Sequence, residues 1–184
     1  MGRYDEAIRE TDRAVVLDPI SPVSHVSRAM ILFRARRYEE AIRAGKLVLD
    51  LNPNHVNALW WLGVSYAGKR DFPKAVEALR KAANLNRGSL FRAYLGYVYG
   101  VSGEKAKALE SLEEIGMLSK QGYVPPVDFA LVYAGLGDAD STMEWLEKAV
   151  LARETRIELT SVYYDRIRSD PRFEELSRRL GFPR

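Results

Sequence analysis

The sequence predicts an all-α fold, a solenoid of stacked helical hairpins. Three observations carry this. The segment "RYDEAIRETDRAVVLDP" (Arg3 to Pro19) returns as "RYEEAIRAGKLVLDLNP" (Arg37 to Pro53) and, less closely, as "DFPKAVEALRKAANLNR" (Asp71 to Arg87). Small and apolar residues keep the same beat: Ala7, Ala41, Ala75 and Ala108 step by 34, 34 and 33 residues, and Ala14, Val48, Ala82, Ile115 and Ala149 by 34, 34, 33 and 34. Within each segment the apolar residues recur at three- and four-residue spacing, and no stretch alternates as a strand would. A period of this length marks helical pairs too small to bury their own apolar faces, so that neighbours must stack.

The elements follow in order. A first helix fits Tyr4 to Leu17 and stops at Asp18-Pro19, because proline cannot continue a helix and biases its predecessor away from helical geometry. Further helices fit Pro22 to Ala35, Tyr38 to Leu51 (ended before Pro53), Val56 to Lys69, Pro73 to Leu85, Leu90 to Val101 and Ala106 to Ser119. Pro73 takes a first-turn position, where its missing N–H costs nothing. After the connection "KQGYVPP", helices fit Val127 to Leu136 and Ser141 to Arg153, with Asp140 as the expected N-cap. The tail "SDPRFEELSRRLGFPR" reads as one more capped helix, with Asp170 at the N-cap, Pro171 at the first helical position, and Gly181 and Pro183 ending it. The whole chain is expected as one domain: a half repeat over 1–19, repeats over 22–55, 56–88, 89–121 and 123–153, and a C-terminal cap over 154–184.

Composition excludes several classes. The chain has 184 residues, 47% apolar and 29% charged, ordinary values for a folded protein. It has no cysteine, which removes disulfides, thiolate catalysis and Cys-based metal sites and fits the cytoplasm. No apolar run approaches the roughly 20 residues that cross a bilayer, and "MGRYDEAIRE" is too charged for a secretory signal. The net charge is only +3. The basic clusters Arg34, Arg36, Arg37, then Arg166, Arg168, then Arg178, Arg179 read as solvated helix faces, which disfavours nucleic-acid binding without removing it.

The segment "ALWWLGVSYAGKRDFPKAVEALRKAANLN" resembles the tetratricopeptide repeat. Its Leu-Gly-Tyr set stands at Leu62, Gly63 and Tyr66, and again at Leu95, Gly96 and Tyr99. It degrades to Phe129, Ala130 and Tyr133, and to Arg28, Ala29 and Leu32. The second-helix set stands at Ala41, Gly45, Val48; Ala75, Leu79, Ala82; Ala108, Leu112, Ile115; and Thr142, Leu146, Ala149. The likeness covers about Gly2 to Arg153 and implies a right-handed α-α superhelix. The tail is similar to the segment that closes such regions at the C-termini of bacterial signalling proteins. That likeness implies a second possible role, a regulatory region of a transcriptional regulator, kinase or cyclase. Tyr4 to Leu17 is then a second helix without its first, and the expectation is either a longer array or self-association through this half repeat, against the simpler alternative of a frayed start.

Nothing in the sequence builds a catalytic or cofactor site. Gly63-Val64-Ser65-Tyr66-Ala67-Gly68-Lys69 matches the opening of a phosphate-binding loop, but it lies inside a helix and Arg70 replaces the hydroxyl that holds Mg²⁺. Gly135-Leu136-Gly137 has no strand before it and reads as the turn between two helices. Asp138 and Asp140 lack the further ligands of a calcium loop, whose twelfth position would be Ala149. His25 and His55 have no metal-binding spacing. No cofactor, no metal and no enzyme activity are expected.

The resemblance implies that first helices line a concave, peptide-holding groove. Mapped onto the repeat, the groove residues are Val26, Met30, Phe33, Arg34, Asn57, Trp60, Trp61, Val64, Tyr94, Tyr97, Val127, Asp128 and Leu131. The family's chaperone-binding members clamp a carboxylate with Lys, Asn and Arg. The matching positions here are Val26, Met30, Trp61, Leu90 and Tyr94, so that clamp is absent. The expected partner is a protein or peptide with apolar anchors, gripped by Phe33, Trp60, Tyr94 and Tyr97 with Arg34 as a charged handle. Adjacent helical residues point about 100° apart, so one of Trp60 and Trp61 is expected in the core.

Overall fold

A computed structural model describes residues 2–182. The described residues contain ten α-helices, one 3₁₀ turn and no strand. They are α1 (Gly2–Leu17), α2 (Pro22–Arg34), α3 (Tyr38–Leu51), α4 (Val56–Gly68), α5 (Phe72–Leu85), α6 (Ser89–Ser102), α7 (Lys105–Ser119), α8 (Pro126–Leu136), α9 (Ala139–Leu151) and α10 (Pro171–Arg179); the 3₁₀ turn is Val162–Tyr164. Each predicted helix is present to within two residues. None of them is long and apolar enough to cross a membrane. The helices group into two compact units, Met1–Arg87 and Gly88–Arg184.

In the first unit, α1 packs on α2, α2 on α3 and α4, and α4 on α3 and α5. In the second, α6 packs on α7 and α8, and α8 on α7, α9 and the 3₁₀ turn. The recurring small side chains explain both. Ala29, Ala41, Ala58, Ala75 and Ala82 are wholly buried in the first unit, and Ala93, Ala108, Ala130, Ala134 and Ala149 in the second. Small residues at a crossing let backbones approach, and larger ones such as Leu32, Leu79, Ile115 and Leu146 fill what is left. The limit of this is the α6–α8 crossing. A Cβ on Gly135 would stand 2.5 Å from the Tyr97 carbonyl oxygen, and one on Gly100 would stand 2.5 Å from the Gly135 carbonyl carbon.

The turn inside each hairpin is also periodic. Arg36, Arg70, Gly103 and Gly137 have left-handed φ values of 60°, 63°, 89° and 75°. After each one the next N–H reaches back across the helix end: Arg37 to Leu32 O (2.8 Å), Asp71 to Tyr66 O (2.9 Å), Glu104 to Tyr99 O (2.8 Å) and Asp138 to Tyr133 O (3.1 Å). This is the six-residue closure that favours glycine at the left-handed position. The second unit supplies glycine there; the first uses arginine. Arg153 (φ 55°) closes α9 the same way, its next N–H reaching Ala149 O at 3.0 Å.

The caps correct one expectation. Asp138, not Asp140, is the N-cap of α9: its carboxylate accepts from the Ser141 N–H at 3.0 Å and from the Ser141 hydroxyl at 2.7 Å. Asp140 lies in the first turn and pairs with Arg172 at 2.8 Å. The helix starts two residues earlier than the spacing implied, because the turn at Gly137 leaves Asp138 extended and aimed along the new axis. Asp170 does cap α10, accepting from the Arg172 N–H at 2.9 Å, with Pro171 first in the helix. Gly181 follows it with φ 73°; Pro183, the other expected terminator, lies outside the described residues.

Candidate functional site

The expected groove residues stand on the first helices of the hairpins, so each unit presents its own first-helix face. In the first unit this face belongs to α2 and α4. Phe33, Trp61 and Val64 are buried and form its base. Phe33 lies 5.7 Å from both the Tyr38 and Trp61 rings, and Trp60 stacks on Trp61 at 4.4 Å. Val26, Met30, Arg34 and Trp60 are half-buried and Asn57 is exposed. Of the adjacent tryptophans, Trp61 is therefore the core one and Trp60 the one that reaches solvent.

In the second unit the same face, on α6 and α8, carries a segment of the chain itself. After α9, residues 154–170 run with only the 3₁₀ turn as regular structure, yet Ile157, Leu159, Tyr163, Tyr164 and Ile167 are all buried. Tyr163 sets its ring against Tyr94 and Tyr97, 5.2 Å from each centroid and edge-on to both. Asp128, only 1% exposed, accepts from the Ser89 hydroxyl at 2.6 Å and from Arg156 at 3.0 Å. Arg166 donates to the Gly135 carbonyl at 2.5 Å, and Arg168 to those of Leu159 and Ser161. Val127 and Leu131 are buried, and Tyr94 and Tyr97 half-buried. Burial pushes the phenols of Tyr94, Tyr163 and Tyr164 well above their ordinary value, so all three keep their protons in alkaline solution where an exposed tyrosine begins to lose its own.

Sequence reasoning did not foresee that a segment of the chain itself packs on Tyr94, Tyr97 and Asp128. The signal was present. The segment "RIELTSVYYDRI" loses the 34-residue period but keeps inward apolar residues at irregular spacing. Irregular spacing is what an extended strap needs when it follows the contour of other helices instead of making its own.

Other sequence features resolve into packing. Gly63, of the phosphate-loop pattern, is buried inside α4, where a Cβ would meet Leu79 Cγ at 2.6 Å, and Lys69 pairs with Glu39 at 2.7 Å. The basic clusters are laced to acids: Arg37 to Glu40, Arg168 to Asp165, Arg178 to Glu175 and Arg179 to Glu147. The first unit also has a cleft of about 290 Å³ between α3 and α5, floored by Leu59, Leu62 and Tyr66 and edged by Lys46 and Lys81.

Comparison with known proteins fits this construction. The model of the tetratricopeptide repeat matches residues 1–55 and 47–94. The chain belongs to the tetratricopeptide repeat family. Repeats of this family generally serve as non-catalytic scaffolds for protein interaction. Among curated proteins, the chain is 28% identical over 85 residues to the TPR repeat-containing thioredoxin TDX of Arabidopsis thaliana, covering 46% of this chain and 22% of that one. It is 26% identical over 145 residues to the BBSome complex member BBS4 of Bos taurus, covering 79% and 28%. The chain therefore spans less than a third of either relative. Among solved structures, it resembles TTC0263, a thermophilic TPR protein of Thermus thermophilus, with a TM-score of 0.68 at 23% identity, covering 90% of this chain and 91% of that one. MamA gives 0.58 at 25% identity, covering 84% and 91%. A chain of the APC/C hetero-tetramer Cut9-Hcn1 gives 0.65 at 16% identity, covering 97% and 34%. These likenesses concern the tetratricopeptide fold.

Proposed function

We propose that this tetratricopeptide chain is a non-catalytic recognition module whose first-unit face takes an extended or helical peptide with apolar anchors. Val26 and Met30 of α2 and Trp60 of α4 receive the anchors, Arg34 and Asn57 supply polar contacts, and Phe33, Trp61 and Val64 hold the platform rigid. A rigid platform lowers the ordering cost of binding, so more of the contact energy remains as affinity. Tryptophan is a frequent hot-spot residue because it buries a large area with few rotatable bonds.

The single observation that carries the reading is the occupant of the equivalent face in the second unit. There Tyr94, Tyr97 and Asp128 are engaged with the chain's own segment, an irregular stretch whose Tyr163 ring meets the two tyrosines and whose Arg156 and Arg166 bond Asp128 and the Gly135 carbonyl. A first-helix face of this protein therefore holds such a segment, and we assign the same chemistry to the partner of the first.

The test is a displayed-peptide selection against the purified chain. Selected peptides are expected to carry aromatic or aliphatic anchors. Trp60→Ala is expected to weaken them by about 30-fold, the equivalent of losing roughly 2 kcal/mol. Lys120→Ala, on the exposed connection after α7, leaves affinity as it was. Unchanged affinity in Trp60→Ala would overturn the proposal.

A further inference from the structure

The turn from α1 to α2 exposes four large apolar side chains within eight residues. Val16 is 77% exposed, Leu17 87%, Ile20 74% and Val23 73%. The stretch "AVVLDPISPV" (Ala14 to Val23) holds a single charge, Asp18. Scattered exposed apolar residues need no explanation, but a contiguous group marks an interaction surface.

The repeat supplies an internal control. One period of 34 residues later, the positions of Val16, Leu17, Ile20 and Val23 are held by Asp50, Leu51, Asn54 and Asn57. The same turn in the next hairpin is therefore built with polar residues at three of the four sites. The fold does not require apolar side chains there, so their presence in the first turn belongs to something outside the hairpin.

We propose that Val16, Leu17, Ile20 and Val23 form the face by which two copies of this chain pair, in an isologous contact about a two-fold axis. The area suits this occupant. Four side chains at such exposure offer on the order of 500 Å² of apolar surface, and two copies meeting face to face bury roughly 1,000 Å², the lower bound for a specific interface. A two-fold contact also needs a rim that complements itself. The patch is flanked by charges of both signs, Asp18 within it and the exposed pair Arg13 and Glu10 one to two turns upstream on α1.

The absence of cysteine gives a clean test. Sedimentation equilibrium of the intact chain is expected to show two chains per particle at about 100 µM. The double variant Leu17→Glu, Ile20→Glu is expected to drop to one chain per particle with an unchanged helical circular-dichroism spectrum, since neither side chain packs inside the fold. Ile20→Cys is expected to give a covalent dimer on mild oxidation, whereas Tyr123→Cys, equally exposed in the second unit, is not. One chain per particle throughout the concentration range overturns the proposal. So does pairing that survives the double variant, or cross-linking of Tyr123→Cys as efficient as that of Ile20→Cys.

Discussion

The two units use one repeat pattern and dispose of its first-helix face in opposite ways. In the first, α2 and α4 leave Val26, Met30, Arg34 and Trp60 half-buried around a base of Phe33, Trp61 and Val64. In the second, α6 and α8 are overlaid by residues 154–167, with Tyr163 between Tyr94 and Tyr97 and Arg156 on Asp128. Periodicity builds the face, and a segment outside the period determines whether it is occupied. The hairpin turns differ too, with arginine at the left-handed position in the first unit and glycine in the second.

The sharpest way to break the second unit alone is at its closest crossing. Gly135→Val puts carbon 2.5 Å from a backbone oxygen that no rotamer change can move. We expect a loss of about 3 kcal/mol or more, read as faster amide exchange throughout α6 and α8 while α2 and α4 keep their protection. Equal loss of protection in both units would show that they do not unfold separately.

Next in size is Tyr163→Ala, which removes the ring wedged against Tyr94 and Tyr97. Truncating a buried aromatic costs about 3 kcal/mol. The expected readout is that residues 154–167 become protease-sensitive and the second unit's face becomes open to peptide, as the first unit's is proposed to be. If Tyr163→Ala leaves the segment protected, the occupant is held by Arg156 and Arg166 and not by the ring.

A pH series sharpens the same contrast. Burial raises the native pKa of Tyr94, Tyr163 and Tyr164 above the ordinary value of 10.0. Above about pH 10 the unfolded chain releases phenolic protons that the native state retains, so stability falls as pH rises. Below pH 10 both states hold these protons and the effect vanishes. Denaturant titrations at pH 8 and 10.5 are expected to show the drop, and Tyr163→Phe is expected to reduce it, because phenylalanine has no proton to lose.

The smallest effect tests the turns. Arg70 is exposed with φ 63°, so Arg70→Gly relieves left-handed strain at some cost in unfolded-chain entropy. A gain of about 0.5 kcal/mol is expected in thermal unfolding. Gly137→Arg in the second unit should lose a similar amount; a gain there would mean that the left-handed position tolerates arginine without strain.

Much of the architecture was legible because it repeats. The helix starts at Tyr38 and Val56, the stops before Pro19 and Pro53, and the cap at Asp170 each follow from a residue whose local chemistry allows little else. Asp140 shows the limit. Two aspartates two residues apart are equal candidates in sequence, and Asp138 won because the left-handed Gly137 had already turned the chain. Arg36 and Arg70 show another, since nothing in an arginine announces a positive φ; only the 34-residue correspondence with Gly103 and Gly137 does. For the candidate site, the repeat placed all thirteen candidate residues on the first helices α2, α4, α6 and α8, whereas the packing of Tyr163 against two of them spans more than sixty positions of sequence.

The recurrence of small residues dictates the helical hairpins and where their helices cross, because a helix crossing accepts only side chains that fit it. That same recurrence is silent on whether a face stays bare. Occupancy depends on a strap that has no period, and its burial rests on contacts between residues far apart in the chain, which exist only once the helices have stacked.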